Sequence, residues 1–101
     1  MGTTDDRNDP GLNKIAPDGM QEKYLVLSDE ERAKGFIRPV RRSYVHETCG
    51  TLTTMGQALA ETYAANPGFY SGTYCVGCRN HFPVGVNGQF VWADTDEKVA
   101  T

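Results

Sequence analysis

His46-Glu47-Thr48-Cys49-Gly50 and Cys75-Val76-Gly77-Cys78-Arg79 are the two stretches that decide how this chain folds. Each carries a pair of metal-ligand side chains separated by two residues, and 25 residues lie between Cys49 and Cys75. A two-residue gap lets a tight turn aim both side chains at one ion, while N–H groups of the turn point at the sulfurs and soften their charge. Glycine helps such turns because positive φ costs it little, and Gly50 and Gly77 stand where that freedom is useful. The intervening segment is long enough for a helix and a strand, so the chain can double back and close one tetrahedral site. Three thiolates and a neutral imidazole around Zn²⁺ leave a formal charge of about −1, which Arg79, Arg41 or Arg42 could offset. The expectation is a structural zinc site built from His46, Cys49, Cys75 and Cys78, with no coordination position left for water.

Two alternatives stay open at this level. His81 lies three residues past Cys78 and could replace His46 as the fourth ligand. Pairing His-x-x-Cys-Gly with Cys-x-x-Cys favours His46, because the two turns are then alike. The cysteines could instead serve redox chemistry through a Cys75–Cys78 pair, although three is an odd number for disulfide staples. Iron also accepts thiolates, and the imidazole favours zinc.

The rest of the composition sets bounds. A chain of 101 residues accommodates one small domain. It has no apolar run long enough to cross a membrane. No apolar signal segment precedes the cysteines, so a reducing cytoplasmic compartment is expected. The net charge of −3 conceals segregation: residues 1–31 sum to −5, whereas residues 32–45 sum to +5 with no acid among them. A basic run, Arg32, Lys34, Arg38, Arg41 and Arg42, therefore abuts the ligand motif inside an acidic protein.

Residues 1–22 are rich in Asp, Asn, Gly and Pro, with isolated apolar residues at Leu12, Ile15 and Met20, which reads as a flexible acidic tail. Residues 23–101 form the expected zinc-stapled domain, opening on a short strand or apolar lead-in at Tyr24–Leu27. Ser28-Asp29-Glu30-Glu31 is a capping box that starts a helix of one or two turns ending at Gly35. Arg38-Pro39 imposes extended backbone before an edge strand over 40–45. A helix over 55–65, capped by Thr53 or Thr54, would bury Met55, Ala58, Leu59, Thr62 and Tyr63, and Asn66-Pro67-Gly68 stops it. Residues 69–74 form a strand that carries Cys75 back to Cys49. Asn87-Gly88 between 82–86 and 89–92 predicts a type I′ hairpin with an aliphatic side facing the helix. Its other side carries Phe90 and Trp92, covered by residues 24–37 or left exposed as a partner patch.

The paired turns followed by a hairpin resemble a zinc ribbon over about residues 44–93. That likeness implies a structural metal and a role in binding nucleic acid, binding protein or holding a subunit together. The helix between the ligand pairs departs from the ribbon, which commonly has a hairpin there. The run from Arg38 to Trp92 also resembles small uncharacterised phage and environmental proteins, a likeness that brings no activity with it. The fold class expected is α+β, a small zinc-ribbon-like domain with a helix inserted between the ligand pairs and a C-terminal β-hairpin.

Catalysis is not expected. Zinc deaminases place a glutamate two residues after the ligand histidine, use Pro-Cys-x-x-Cys, and leave one position for water. Here Glu47 follows His46 directly, Tyr74 stands in the proline position, and Cys49 would fill the vacancy. No small-molecule substrate is implied. Two functions follow: an adaptor presenting Arg38, Arg41, Arg42 and Arg79 to nucleic acid or an acidic protein, or an assembly protein that self-associates or docks through Phe90 and Trp92.

Overall fold

In the computed structural model, which describes residues 2–101, the chain is α+β. Strands β1 (Gly2–Thr4) and β2 (Lys23–Leu25) pair in parallel. A short helix α1 (Asp29–Ala33) leads to the antiparallel strands β3 (Ser43–His46) and β4 (Leu52–Thr54), then helix α2 (Gln57–Ala65). Strands β5 (Gly72–Cys75) and β6 (Asn80–Pro83) form a second antiparallel pair, and β7 (Phe90–Trp92) joins the far edge of β3. No helix among the described residues is long and apolar enough to cross a membrane.

Period-2 alternation on β3 and β7 fixes the core. Tyr44 lies opposite Trp92 and His46 opposite Phe90, and all four side chains are buried on the same face. Tyr63 of α2 meets the edge of Trp92 at 5.7 Å, so the helix packs on aromatic rings. Met55, Val26 and Val99 complete this layer. The expectation that an aliphatic face would meet the helix is overturned. Val86 is largely exposed, while Phe90 and Trp92 are core residues and form no exposed patch. Their burial removes the surface that docking or self-association through those rings would need.

The C-terminal hairpin is corrected too. β6 and β7 pair with different strands, β6 with β5 and β7 with β3. The tight turn between β5 and β6 is the Cys75–Cys78 ligand turn itself, so it claims β6 for the hairpin. The return to β7 bends at Gly85, φ +104°, where a Gly88 N–H donates to the Gly85 carbonyl. Neither Asn87 nor Gly88 has positive φ, so a type I′ turn is not formed there.

Strand β3 is the middle of three strands rather than an edge, with β4 on one side and β7 on the other. Thr53 and Thr54 belong to β4, so α2 starts at Gly56 without a side-chain cap. Ser28 does cap α1, accepting from the Glu31 N–H, but the Glu31 carboxylate turns to Lys34 instead of closing the box. Residues 2–22, expected as a tail, adopt defined structure. Beyond β1 they carry a 3-10 turn at Pro10–Asn13, started by Asp9, and Asp18 accepts a hydrogen bond from the Tyr74 hydroxyl through its carbonyl. Parallel pairing with β2 supplies the ordering that their few apolar side chains do not.

Burial pushes the Tyr44 phenol up to about 12 and also raises Tyr63 and Tyr70. An unfolded tyrosine ionises near pH 10, so the stability these groups contribute is complete below that pH and is lost as pH rises through the higher folded values. Raising the pH from about 9 to 12 should therefore unfold the chain. Circular dichroism and tyrosinate absorbance should change together, and full ionisation with the fold intact would contradict the burial.

Candidate metal centre

The ligand turns sit at the ends of two strands. His46 closes β3 and Cys75 closes β5, so strand pairing alone carries them to one place. The two turns repeat one backbone pattern. Gly50 N–H donates to the His46 carbonyl at 2.7 Å, and Arg79 N–H donates to the Cys75 carbonyl at 2.8 Å. The residue after each second ligand is left-handed, Gly50 at φ +76° and Arg79 at φ +55°. Gly77 does not have positive φ, and its requirement is space. A Cβ there would stand 2.3 Å from the Thr51 hydroxyl, so the two turns can touch only where a side chain is missing. Val76 N–H donates to the Thr53 hydroxyl at 3.1 Å and ties the second turn to β4.

The donor atoms of His46, Cys49, Cys75 and Cys78 all lie within 4.8 Å of one another. His46 Nδ1 is 3.3 Å from Cys49 Sγ and 3.6 Å from Cys78 Sγ, and the Cys49 and Cys75 sulfurs are 3.5 Å apart. A tetrahedral ion with bonds of about 2.3 Å to sulfur and 2.0 Å to nitrogen needs donor separations of about 3.5–3.8 Å. The three separations of 3.3, 3.5 and 3.6 Å lie close to that range, and the cluster is consistent with a metal site. The three cysteines are free, so no disulfide competes for the sulfurs.

His46 is buried and its ring stacks on Phe82 at 4.4 Å and on Phe90 at 4.8 Å. Its Nε2–H donates to the Gln89 side-chain carbonyl at 2.8 Å, which leaves the Nδ1 lone pair facing the sulfurs. His81 is elsewhere. Its Nε2 meets the Tyr24 hydroxyl at 2.9 Å and its ring packs edge-on to Tyr74, so His46 is the histidine of the cluster.

The thiols differ in their surroundings. The Thr51 hydroxyl and then its N–H hold Cys49 down to about 6. Desolvation raises Cys78 to about 11, with the neighbouring sulfurs adding to it. Cys75 is buried and accepts from the Cys78 N–H at 3.4 Å. A dication would override these differences and ionise all three thiols.

The remaining sequence candidates scatter. Arg41 pairs with Glu97 at 2.8 Å and lies over the Trp92 ring at 4.8 Å. Arg42 donates to the Met55 carbonyl and Arg38 to the main-chain oxygen of Thr101, and both are exposed, as is Arg79. Glu47 pairs with Lys98, away from the cluster. Phe90 and Trp92 lie inside the fold. Sequence reasoning missed Gln89, Phe82, Thr51 and Gly19. Gly19, at φ +90°, packs directly against the Arg79 carbonyl, so the N-terminal segment braces the second ligand turn. Only the mixed character of Gln89 in an otherwise apolar run could have hinted at a role.

No protein-family model, curated protein or solved structure matches the chain.

Gln89→Ala should weaken metal binding about 10- to 100-fold by releasing the His46 ring, whereas Gln89→Glu, which keeps an acceptor, should retain most of it. Competition against a chromophoric chelator measures both, and equal affinities would remove Gln89 from the site.

Proposed function

We propose that this chain is a zinc-stapled binding module in which the ion is structural and an arginine-bearing surface contacts a partner, nucleic acid or acidic protein. The supporting observation is the convergence of four protein donors, one imidazole and three thiols, on one tetrahedron-sized cluster. Four protein ligands satisfy zinc completely and leave it no bound water to activate, so the ion holds the fold and takes no part in chemistry. An imidazole among the donors favours zinc over iron. Free thiols suit a reducing compartment such as the cytoplasm.

The relation to zinc ribbons belongs to the same proposal. The matched ligand turns support it. The inserted helix α2 and the separation of β6 from β7 make this a variant on that theme. Between the two partner roles considered from sequence, the arginines support the adaptor, since Arg42 and Arg79 are exposed and have no side-chain carboxylate partner among the described residues.

Native mass spectrometry should find one zinc per chain. Chelation should abolish the native circular dichroism, because a core of this size supplies only about 3–5 kcal/mol unaided. Cys75→Ser should reproduce the loss. A metal-free chain that stays folded would sink the structural-ion proposal. In gel shifts with mixed DNA and RNA at low salt, any retained complex should weaken in the Arg38→Ala, Arg42→Ala double variant and dissolve as salt rises. Absence of a complex at low salt would remove nucleic acid as the partner.

A further inference from the structure

The sulfurs of the cluster differ in what can reach them. Cys49 and Cys78 are exposed, whereas Cys75 is buried with 0 % of its surface accessible. The Cys49 and Cys75 sulfurs stand 3.5 Å apart and belong to different turns, and Cys78 Sγ lies within 4.8 Å of the other donors. These turns also touch through groups that hold no metal. Val76 N–H donates to the Thr53 hydroxyl at 3.1 Å, and Gly77 packs so closely on Thr51 that a Cβ would stand 2.3 Å from its hydroxyl. The segments that a Cys49–Cys75 bond would join are therefore already in contact.

We propose that Cys49 is a site of oxidation by hydrogen peroxide and that Cys75 resolves it to a disulfide, which replaces the ion as the link between the two turns. The inference rests on the structural-ion proposal above. With the ion bound each Sγ is a thiolate, the form that attacks peroxide. Cys49 Sγ takes one peroxide oxygen: an S–O bond forms, the O–O bond breaks, and the departing hydroxide is protonated to water. Cys75 Sγ then attacks the sulfur of that sulfenic acid. The S–S bond forms, the S–O bond breaks, and a second hydroxide leaves as water after taking a proton. Each sulfur gives up one electron and each peroxide oxygen gains one. Only His46 and Cys78 remain as donors, too few to hold a four-coordinate ion.

Burial and contact assign the roles. The oxidant cannot reach Cys75 first, so Cys75 is the resolving thiol, and Cys49 is the exposed sulfur seated on it at 3.5 Å. Placement on two turns gives the bond its consequence. A Cys49–Cys75 bond closes the loop that carries β4 and α2 and restrains the unfolded chain, whereas a Cys75–Cys78 bond closes one turn and lets the two turns part. In a reducing compartment such a bond is transient, which suits it to sensing an oxidant rather than to permanent stapling.

Hydrogen peroxide added to the full chain purified with zinc tests this. A chromophoric chelator should record one zinc released per chain, and the intact polypeptide should become lighter by two hydrogens. Glu61 is the one acidic residue between Cys49 and Cys75, so cleavage after it separates Cys49 from the other two cysteines. The two fragments should stay joined until a reductant is added, and iodoacetamide applied in denaturant should label Cys78 alone. The oxidised chain should keep its native circular dichroism in excess chelator, where the reduced chain loses it. Fragments that part without reductant, label on Cys75 or Cys49, zinc retained after peroxide, or an oxidised chain that unfolds in chelator would each overturn the proposal. Native mass before peroxide separates this inference from the one beneath it. A chain that carries no zinc defeats the structural ion and the exchange together, whereas a zinc-loaded chain that forms no Cys49–Cys75 bond defeats the exchange alone.

Discussion

The structure depends on two ligand turns meeting at one point. The first ends β3 and the second ends β5, and between them the chain completes β4 and α2. Holding the turns together closes that excursion and confines α2 to one face of the three-stranded sheet. The second turn is also a hairpin turn, which is why β6 returns along β5 and leaves β7 to join β3. One local motif thus selects two strand pairings. In a chain with few large aliphatic side chains, such a constraint replaces part of what a bigger core would supply.

His46 couples the cluster to the core. Its ring is a packing element, stacked on Phe82 and Phe90, and its Nδ1 is a donor in the cluster. The Gln89 side-chain carbonyl fixes the tautomer that points a lone pair at the sulfurs. Cys75 is likewise fully buried, while Cys49 and Cys78 lie at the surface. The inner half of the cluster is core and the outer half is exposed. The Thr51 hydroxyl and N–H hold Cys49 down, while desolvation, with the neighbouring sulfurs adding to it, pushes Cys78 up.

Much of this was legible in the residues, and the failures have physical causes. The ligand set could be read because spacing and side-chain chemistry are local. His46 was separable from His81 only on the likeness of the two turns, and the left-handed residue after each second ligand bears that likeness out. The Ser28 cap and the stop at Asn66 are local signals as well. Strand partners are not local. Asn87-Gly88 is a strong hairpin signal in isolation, yet the ligand turn competes for the same strand and wins. Period 2 showed which residues share a face, but not which face points inward. Gln89 was invisible because its role is defined by a contact 43 residues away. The order of residues 2–22 was hidden because backbone pairing and close approaches, such as Gly19 on Arg79, carry little sequence signature.

The arginines show how a charge run differs from a charged surface. Five cations in residues 32–45 suggest one basic patch. The fold divides them. Arg32 bridges Asp29 and Glu61, linking α1 to α2, and Lys34 pairs with Glu31. Arg41 covers Trp92 and pairs with Glu97, so it seals the core edge. Arg42 donates to the Met55 carbonyl, and Arg38 to the Ile37 carbonyl and the main-chain oxygen of Thr101. A neutral carbonyl can orient a cation without cancelling it, so Arg42 remains positive toward solvent while held in place. Beside them, Ile37 and Phe36 stand out because the loop is tied to Ala64 through its backbone, leaving their side chains no route into the core. What the sequence presents as a uniform basic run is divided, in the folded chain, among ion pairs, main-chain oxygens and the Trp92 ring.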